Sequence, residues 1–288
     1  MNYIYLQLLM TAMLTAAACA LPGTFLVLRG TSFMSDALGH AILLGIVIAF
    51  LIVQQIHSPL IFIGAIAMGL VTVTCIELLI KTKRVHHDGA IGIIFPLLFS
   101  IAVILINLFA SSIHLDIDAV LLGELAFTPL HQLTIGTMQL GSYAMWIMGI
   151  ILLINILVIT ANFKALKIAT FDPDYATLLN FKPHLIHYIL MTITCLTIVG
   201  AFECAGAILV VAFMIIPPAT AYLLTNRLTA MLCISVLIGM IAAVSGCIMA
   251  HLYNVSIAGS IATMNGLWFA ITLLLTKKFP KLMRPPVC

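Results

Sequence analysis

Long apolar runs, broken only by short polar connections, decide what this chain can fold into. They fall at residues 7–28, 37–54, 59–80, 90–110, 142–161, 186–201, 205–224, 229–252 and 257–276. A helix that crosses a bilayer needs about 20 mostly apolar residues, and these runs meet that need with one exception. The sixth is short and is parted from the seventh only by AFECAG. That pair reads either as two spans or as a partly re-entrant hairpin, so about eight or nine crossings are expected, with ten as the upper bound. Composition excludes the alternative of a water-filled exterior. Of 288 residues 64% are hydrophobic and 7% are charged, where a soluble domain carries roughly 25% charged residues. The fold class is therefore an all-α integral membrane protein, a polytopic helix bundle, with residues 1–288 forming one transmembrane domain. No strands, soluble domains or low-complexity segments are expected.

The charges between the runs set an orientation. Arg29, the trio Lys81, Lys83 and Arg84, then Lys164, Lys167 and Lys182, then Arg227, and finally Lys277, Lys278, Lys281 and Arg284 all fall on one side. The opposite loops carry no Lys or Arg, and there IHLDIDAVLLGE, Ile113 to Glu124, is acidic. Basic residues accumulate on the cytoplasmic side, which puts the N-terminus outside and the C-terminus inside. The basic residues do not gather into one patch, which argues against nucleic acid as a partner. Seven cysteines without CxxC spacing indicate neither a zinc site nor a disulfide framework. MNYIYLQLLMTAML has no basic n-region and reads as the lead into a retained helix, not as a signal peptide.

Two connections are long enough to hold structure, an outer segment at about 111–141 and an inner one at about 162–184. In the inner one, Asp172 followed by Pro173 spells an N-cap with proline at the first helical position. DYATLL has apolar residues at helical spacing, and Asn180 suits a left-handed stop. The segment reads as a short helix on the cytoplasmic face. It is either a solvated loop that happens to be helical or, through Phe171, Asp172, Pro173, Tyr175, Leu178 and Leu179, a docking element for another protein.

Asp36 and His40 stand at the head of the second run. Residues four apart on a helix share a face, so a carboxylate and an imidazole so placed can hold one divalent cation. Ionisable groups within a span are costly and mark functional sites by default. With a helix starting near Arg29, His40 would lie about 16 Å in at 1.5 Å per residue, near the middle of the bilayer core. The other reading places Asp36 at the interface beside Arg29 and makes His40 a packing residue. Spacing does not choose between them. Two ligands are also too few for a complete site, so further donors must come from elsewhere in the chain, a second copy, or water. Glu77, one turn before Lys81, reads as a salt-bridge partner for it. Glu203 falls in a short outer turn; His86, His87 and Asp88 form an inner cluster; and His251 ends a span. Of the acidic outer group His114, Asp116, Asp118 and Glu124, the last is a candidate for the mouth of a path. No GxxxxGK[ST] phosphate loop and no nucleophile–base arrangement occurs, so the chain is not read as an enzyme. Pro217 and Pro218 inside a run are expected to kink or break that helix.

Three stretches together resemble the membrane permeases of ABC-type manganese/zinc/iron importers: FLVLRGTSFMSDALGHAILLGIVIAF, KIATFDPDYATLLNF and GAILVVAFMIIPPATAYLL. Departures are Gly39, where the family often has Ser, Asn180, where it often has Gly, and NVSIAGSIATMNGLWF, which lacks an expected proline. The resemblance implies a bacterial cell-membrane permease working as a dimer with a second copy or a paralogue. It implies two ATPase subunits on the cytoplasmic face, an extracytoplasmic metal-binding protein, and surrounding lipid. By position Asp36 and His40 become the metal pair of the translocation path, and the helix around Asp172 the coupling element. No permanently bound cofactor is implied. The cargo would be a divalent ion, manganese first, with zinc or iron as alternatives. Two other functions fit the residues: an ATP-independent secondary metal transporter or channel, and a permease for a metal chelate. The ionisable pair argues against the chelate.

Overall fold

A computed structural model describes residues 2–54, 58–109, 125, 128, 132–135 and 138–278 of the chain. The apolar runs become α1 (Asn2–Leu28), α2 (Phe33–Val53), α3 (Pro59–Lys81), α4 (His87–Phe109), α5 (Tyr143–Ala161), α8 (Pro183–Ala205), α9 (Ala207–Leu224), α10 (Leu228–Tyr253) and α11 (Ile257–Lys278). Two short helices, α6 (Phe163–Phe171) and α7 (Pro173–Leu178), lie between α5 and α8. Among the described residues, nine of these helices are long and apolar enough to cross a membrane. The 186–201 run is no re-entrant hairpin: α8 extends it at both ends to 23 residues. Gly206 alone joins α8 to α9, with φ +77°, a backbone conformation glycine adopts at little cost.

One expectation fails in the outer segment. Gln132–Ile135 (β1) and Met138–Ser142 (β2) pair antiparallel as a two-stranded hairpin. QLTI and MQLGS are short, and a weak alternation of β-formers inside a stretch already read as connection gives little signal.

Sequence punctuation places the helix ends. Ser58 caps α3, its hydroxyl accepting from Leu60 N at 3.3 Å ahead of Pro59. Gln54 and Asn254 close α2 and α10 in left-handed conformation. α1 packs against α5, α8, α9 and α10, while α2 packs against α3, α4 and α8. The most enclosed spans are α8 and α1, and α11 is the least, with 67%, 61% and 17% of their apolar windows buried. The outer helices therefore turn wide apolar faces to lipid or to another chain.

The buried threonines of the bundle are tied to the backbone. Thr11, Thr15, Thr72, Thr194 and Thr220 each donate to the carbonyl four residues back, as a low-dielectric solvent demands. Pro22 inside α1 has no N–H for the Ala18 carbonyl. Asn155 of α5, fully buried, supplies one instead: its Nδ2 donates to Ala18 O at 3.0 Å and to Thr197 Oγ1 at 2.8 Å. Pro217 and Pro218 leave α9 unbroken from Ala207 to Leu224. Pro218 frees the Met214 carbonyl, and there α1 approaches so closely that a Cβ on Gly23 would lie 2.9 Å from the Met214 carbonyl carbon.

Candidate functional site

α2 starts at Phe33, not at Arg29, so Asp36 belongs to its first turn and His40 lies about 10 Å from its start at 1.5 Å per residue. That is a third of the way through the about 30 Å core, shallower than the middle. Most of α2 is buried, but Asp36 and His40 share the face left open, with side chains 46% and 34% exposed. His40 Nε2 and Asp36 Oδ1 are 3.6 Å apart. This is too long for a hydrogen bond and close to the roughly 3.4 Å that two donors span at a tetrahedral angle about one ion with bonds near 2.1 Å. Phe95 and Phe99 of α4 hold the imidazole between them, one stacked at 5.8 Å and one edge-on at 5.5 Å. The ring is thus positioned while its Nε2 edge stays turned to the carboxylate. On the other side, Gly39 lets the Phe202 ring of α8 sit directly on α2; a side chain there would require the ring to move. Among the described residues no group of three or more His, Cys, Asp or Glu is arranged to hold a metal. The pair offers one carboxylate oxygen and one imidazole nitrogen on a face that is open on one side.

Arg29 does not neutralise Asp36. Its Nε donates to Thr170 Oγ1 at 3.2 Å, and its Nη1 lies 3.1 Å from His187 Nδ1. Burial lowers the guanidinium to about 10, which leaves it charged at neutral pH. A guanidinium has donors only, so Nδ1 of His187 accepts and its proton sits on Nε2. That nitrogen is 2.8 Å from Glu77 Oε1. Glu77 Oε2 accepts from Tyr188 OH at 3.1 Å and lies 3.7 Å from His184 Nε2. Glu77 therefore pairs across to α8 and not along α3 to Lys81. The i,i+4 spacing that suggested Lys81 is overridden because the bundle offers a buried partner. The chain Thr170–Arg29–His187–Glu77 joins α6, α1, α8 and α3 at one membrane boundary, and apart from the two charged ends nothing in the sequence points to it.

In the inner segment, Asp172 caps α7, its Oδ1 accepting from Tyr175 N at 2.9 Å ahead of Pro173. Asn180 ends it at φ +63°, with Phe181 N bonded to Ala176 O and Asn180 N to Thr177 O, both at 3.0 Å. α6 precedes it, so the segment is a helix pair. Leu166 and Ala176 are buried, while Phe171, Tyr175, Leu178 and Leu179 are exposed, Leu178 by 82%. Glu124, with His114, Asp116 and Asp118, lies outside the described residues. Glu203 is exposed next to the Gly206 turn. His87 Nδ1 and Asp88 Oδ1 are 3.9 Å apart, and His251 packs on Tyr5 at 5.4 Å.

Among the described residues, nine membrane-length helices, with an ionisable pair on an open helix face and a capped surface helix, make this a polytopic membrane protein. The chain belongs to the ABC 3 transport family, which it matches over residues 1–276. It is 44% identical over 264 residues to the manganese transport system membrane protein MntD of Bacillus subtilis, covering 92% of this chain and 89% of that protein. To the zinc transport system membrane protein TroD of Treponema pallidum it is also 44% identical, over 95% of this chain and 74% of the other. The chelated iron transport system membrane protein YfeD of Yersinia pestis shares 29% over 92% and 83% of the two chains. Among solved structures, PsaBC from Streptococcus pneumoniae in complex with Fab superposes with TM-score 0.78 at 30% identity, over 96% of this chain and 93% of that one.

Proposed function

We propose that this chain is the translocating subunit of an ATP-driven importer of divalent metal ions, with manganese the foremost cargo and zinc or iron(II) the alternatives. The observation that carries this reading is the Asp36–His40 pair, 3.6 Å apart on the open face of α2. One carboxylate oxygen and one imidazole nitrogen suit all three metals. A second copy or a paralogue facing the first would supply a matching Asp and His and close the sphere. Similarity to relatives named for manganese, zinc and chelated iron transport supports the cargo class.

The mechanism is alternating access in a bacterial cell membrane, with the N-terminus outside and the C-terminus cytoplasmic. An extracytoplasmic binding protein delivers the ion, which passes to Asp36 and His40. Two ATPase subunits dock on Phe171, Asp172, Pro173, Tyr175, Leu178 and Leu179, and their closure is passed to the spans through α7. Since Thr170 is bonded to Arg29, and Arg29 to His187, displacement of the α6–α7 pair reaches α1 and α8 directly. Hydrolysis belongs to the separate subunits. Metal uptake by cells carrying Asp36→Ala or His40→Ala is expected to fall at least tenfold, at unchanged membrane levels of the protein, because each removes half the donors. Full uptake by both variants would overturn the site.

A further inference from the structure

On the side of the molecule that carries the basic residues, a groove of about 790 Å³ separates the end of α5 from the start of α8. Its floor is apolar, made by Phe163, Ile186 and Ile189. Lys164 of α6 and Lys182, at the N-cap of α8, both line it. Both lysines are exposed, no carboxylate lines the groove, and among the described residues neither lysine is in an ion pair. Ile189 lies about 9 Å further along α8 than Pro183, at 1.5 Å per residue. The groove thus runs from the aqueous boundary into hydrocarbon depth, where Leu153 and Leu157 of α5 are more than 60% exposed.

We infer that this groove binds an anionic phospholipid, its phosphate between Lys164 and Lys182 and an acyl chain along Ile186 and Ile189. A basic pocket between helix ends at a membrane surface has the chemistry for such a headgroup. A soluble anion would satisfy the lysines but leave the apolar floor wet. A neutral lipid would fill the floor and leave two cations without a partner. Position adds a consequence. Lys164 belongs to the first turn of α6, and Lys182 follows α7 by four residues. One headgroup therefore ties together the two ends of the α6–α7 pair and braces it against α5 and α8. This site depends on the chain lying in a membrane and not on what it transports.

The test is lipid retention by the purified full chain in detergent, read by native mass spectrometry against equal amounts of dioleoyl phosphatidylglycerol and dioleoyl phosphatidylcholine. The wild type is expected to keep phosphatidylglycerol preferentially. Lys164→Gln should weaken that retention about fivefold and Lys164→Gln with Lys182→Gln about 30-fold, from the usual contribution of a lysine at an anionic surface. Lys164→Arg with Lys182→Arg should restore it. Lys81→Gln with Lys83→Gln, exposed lysines on the same side, should leave it unchanged. The inference is overturned if the wild type shows no headgroup preference, if the Lys81 and Lys83 pair matters equally, or if millimolar inorganic phosphate displaces the lipid.

Discussion

Glu77 carries two acceptor oxygens at a membrane boundary, and its neighbours were not visible along the chain. His184 and His187 are more than 100 residues away, and Tyr188 is separated by 111; such contacts leave no periodic trace, whereas Lys81 stood in plain view at helical spacing. Asp36 and His40 were legible because an ionisable pair in an apolar run is rare enough to stand out. That Arg29 turns away from Asp36 was not, since either direction satisfies the same one-dimensional pattern. Glu77→Ala is expected to destabilise the protein by about 1–3 kcal/mol, since it removes the carboxylate that faces His187 and strips the acceptor from the Tyr188 hydroxyl. Lys81→Ala should stay within about 0.5 kcal/mol, as an exposed residue that is in no ion pair among the described residues does. Thermal unfolding of the two purified variants in one detergent distinguishes them.

Among the elements, helices announced themselves through length and caps, and α7 did so residue by residue. Asp172, Pro173 and Asn180 do what their types favour. The β-hairpin and α6 escaped because neither has a strong stop or start signal. Proline was half legible: a break could be foreseen in α9, but not that the helix would stay continuous, with α1 approaching closely at the carbonyl that Pro218 frees. The same logic governs α1 and α5. Asn155→Ala should cost about 1–2 kcal/mol, because the Ala18 carbonyl loses its donor. Pro22→Ala restores a backbone donor to that carbonyl, so the double variant should lose less than Asn155→Ala alone; a larger loss would refute the pairing. At the proposed docking face, Leu178→Asp is expected to reduce co-purification of the proposed ATPase subunits at least tenfold while leaving the unfolding temperature unchanged, since Leu178 is 82% exposed and its burial by a partner would be lost.

For the whole molecule, the apolar runs bounded the crossings at eight to ten, because lipid tolerates few alternatives, and the choice between a hairpin and two spans at 186–224 waited on the structure, which has nine membrane-length helices among the described residues. Which helices enclose which did not follow, since outer and inner spans are almost equally apolar. Orientation is open to direct measurement. In a cysteine-free background, a cysteine at Glu203 is expected to react with an impermeant maleimide in intact cells, and one at Lys167 only after permeabilisation; the reverse pattern would invert the proposed topology. The Asn155 bond to Ala18 also has a meaning in time. Its partners are 137 residues apart, so at roughly 5–20 residues per second the ribosome needs about 7–27 s after making Ala18 to deliver the asparagine. Throughout that interval the first span carries an unsatisfied carbonyl one helical turn before Pro22. The contact between α1 and α5 can therefore close only once the fifth crossing has been made, whatever the first span has met before then.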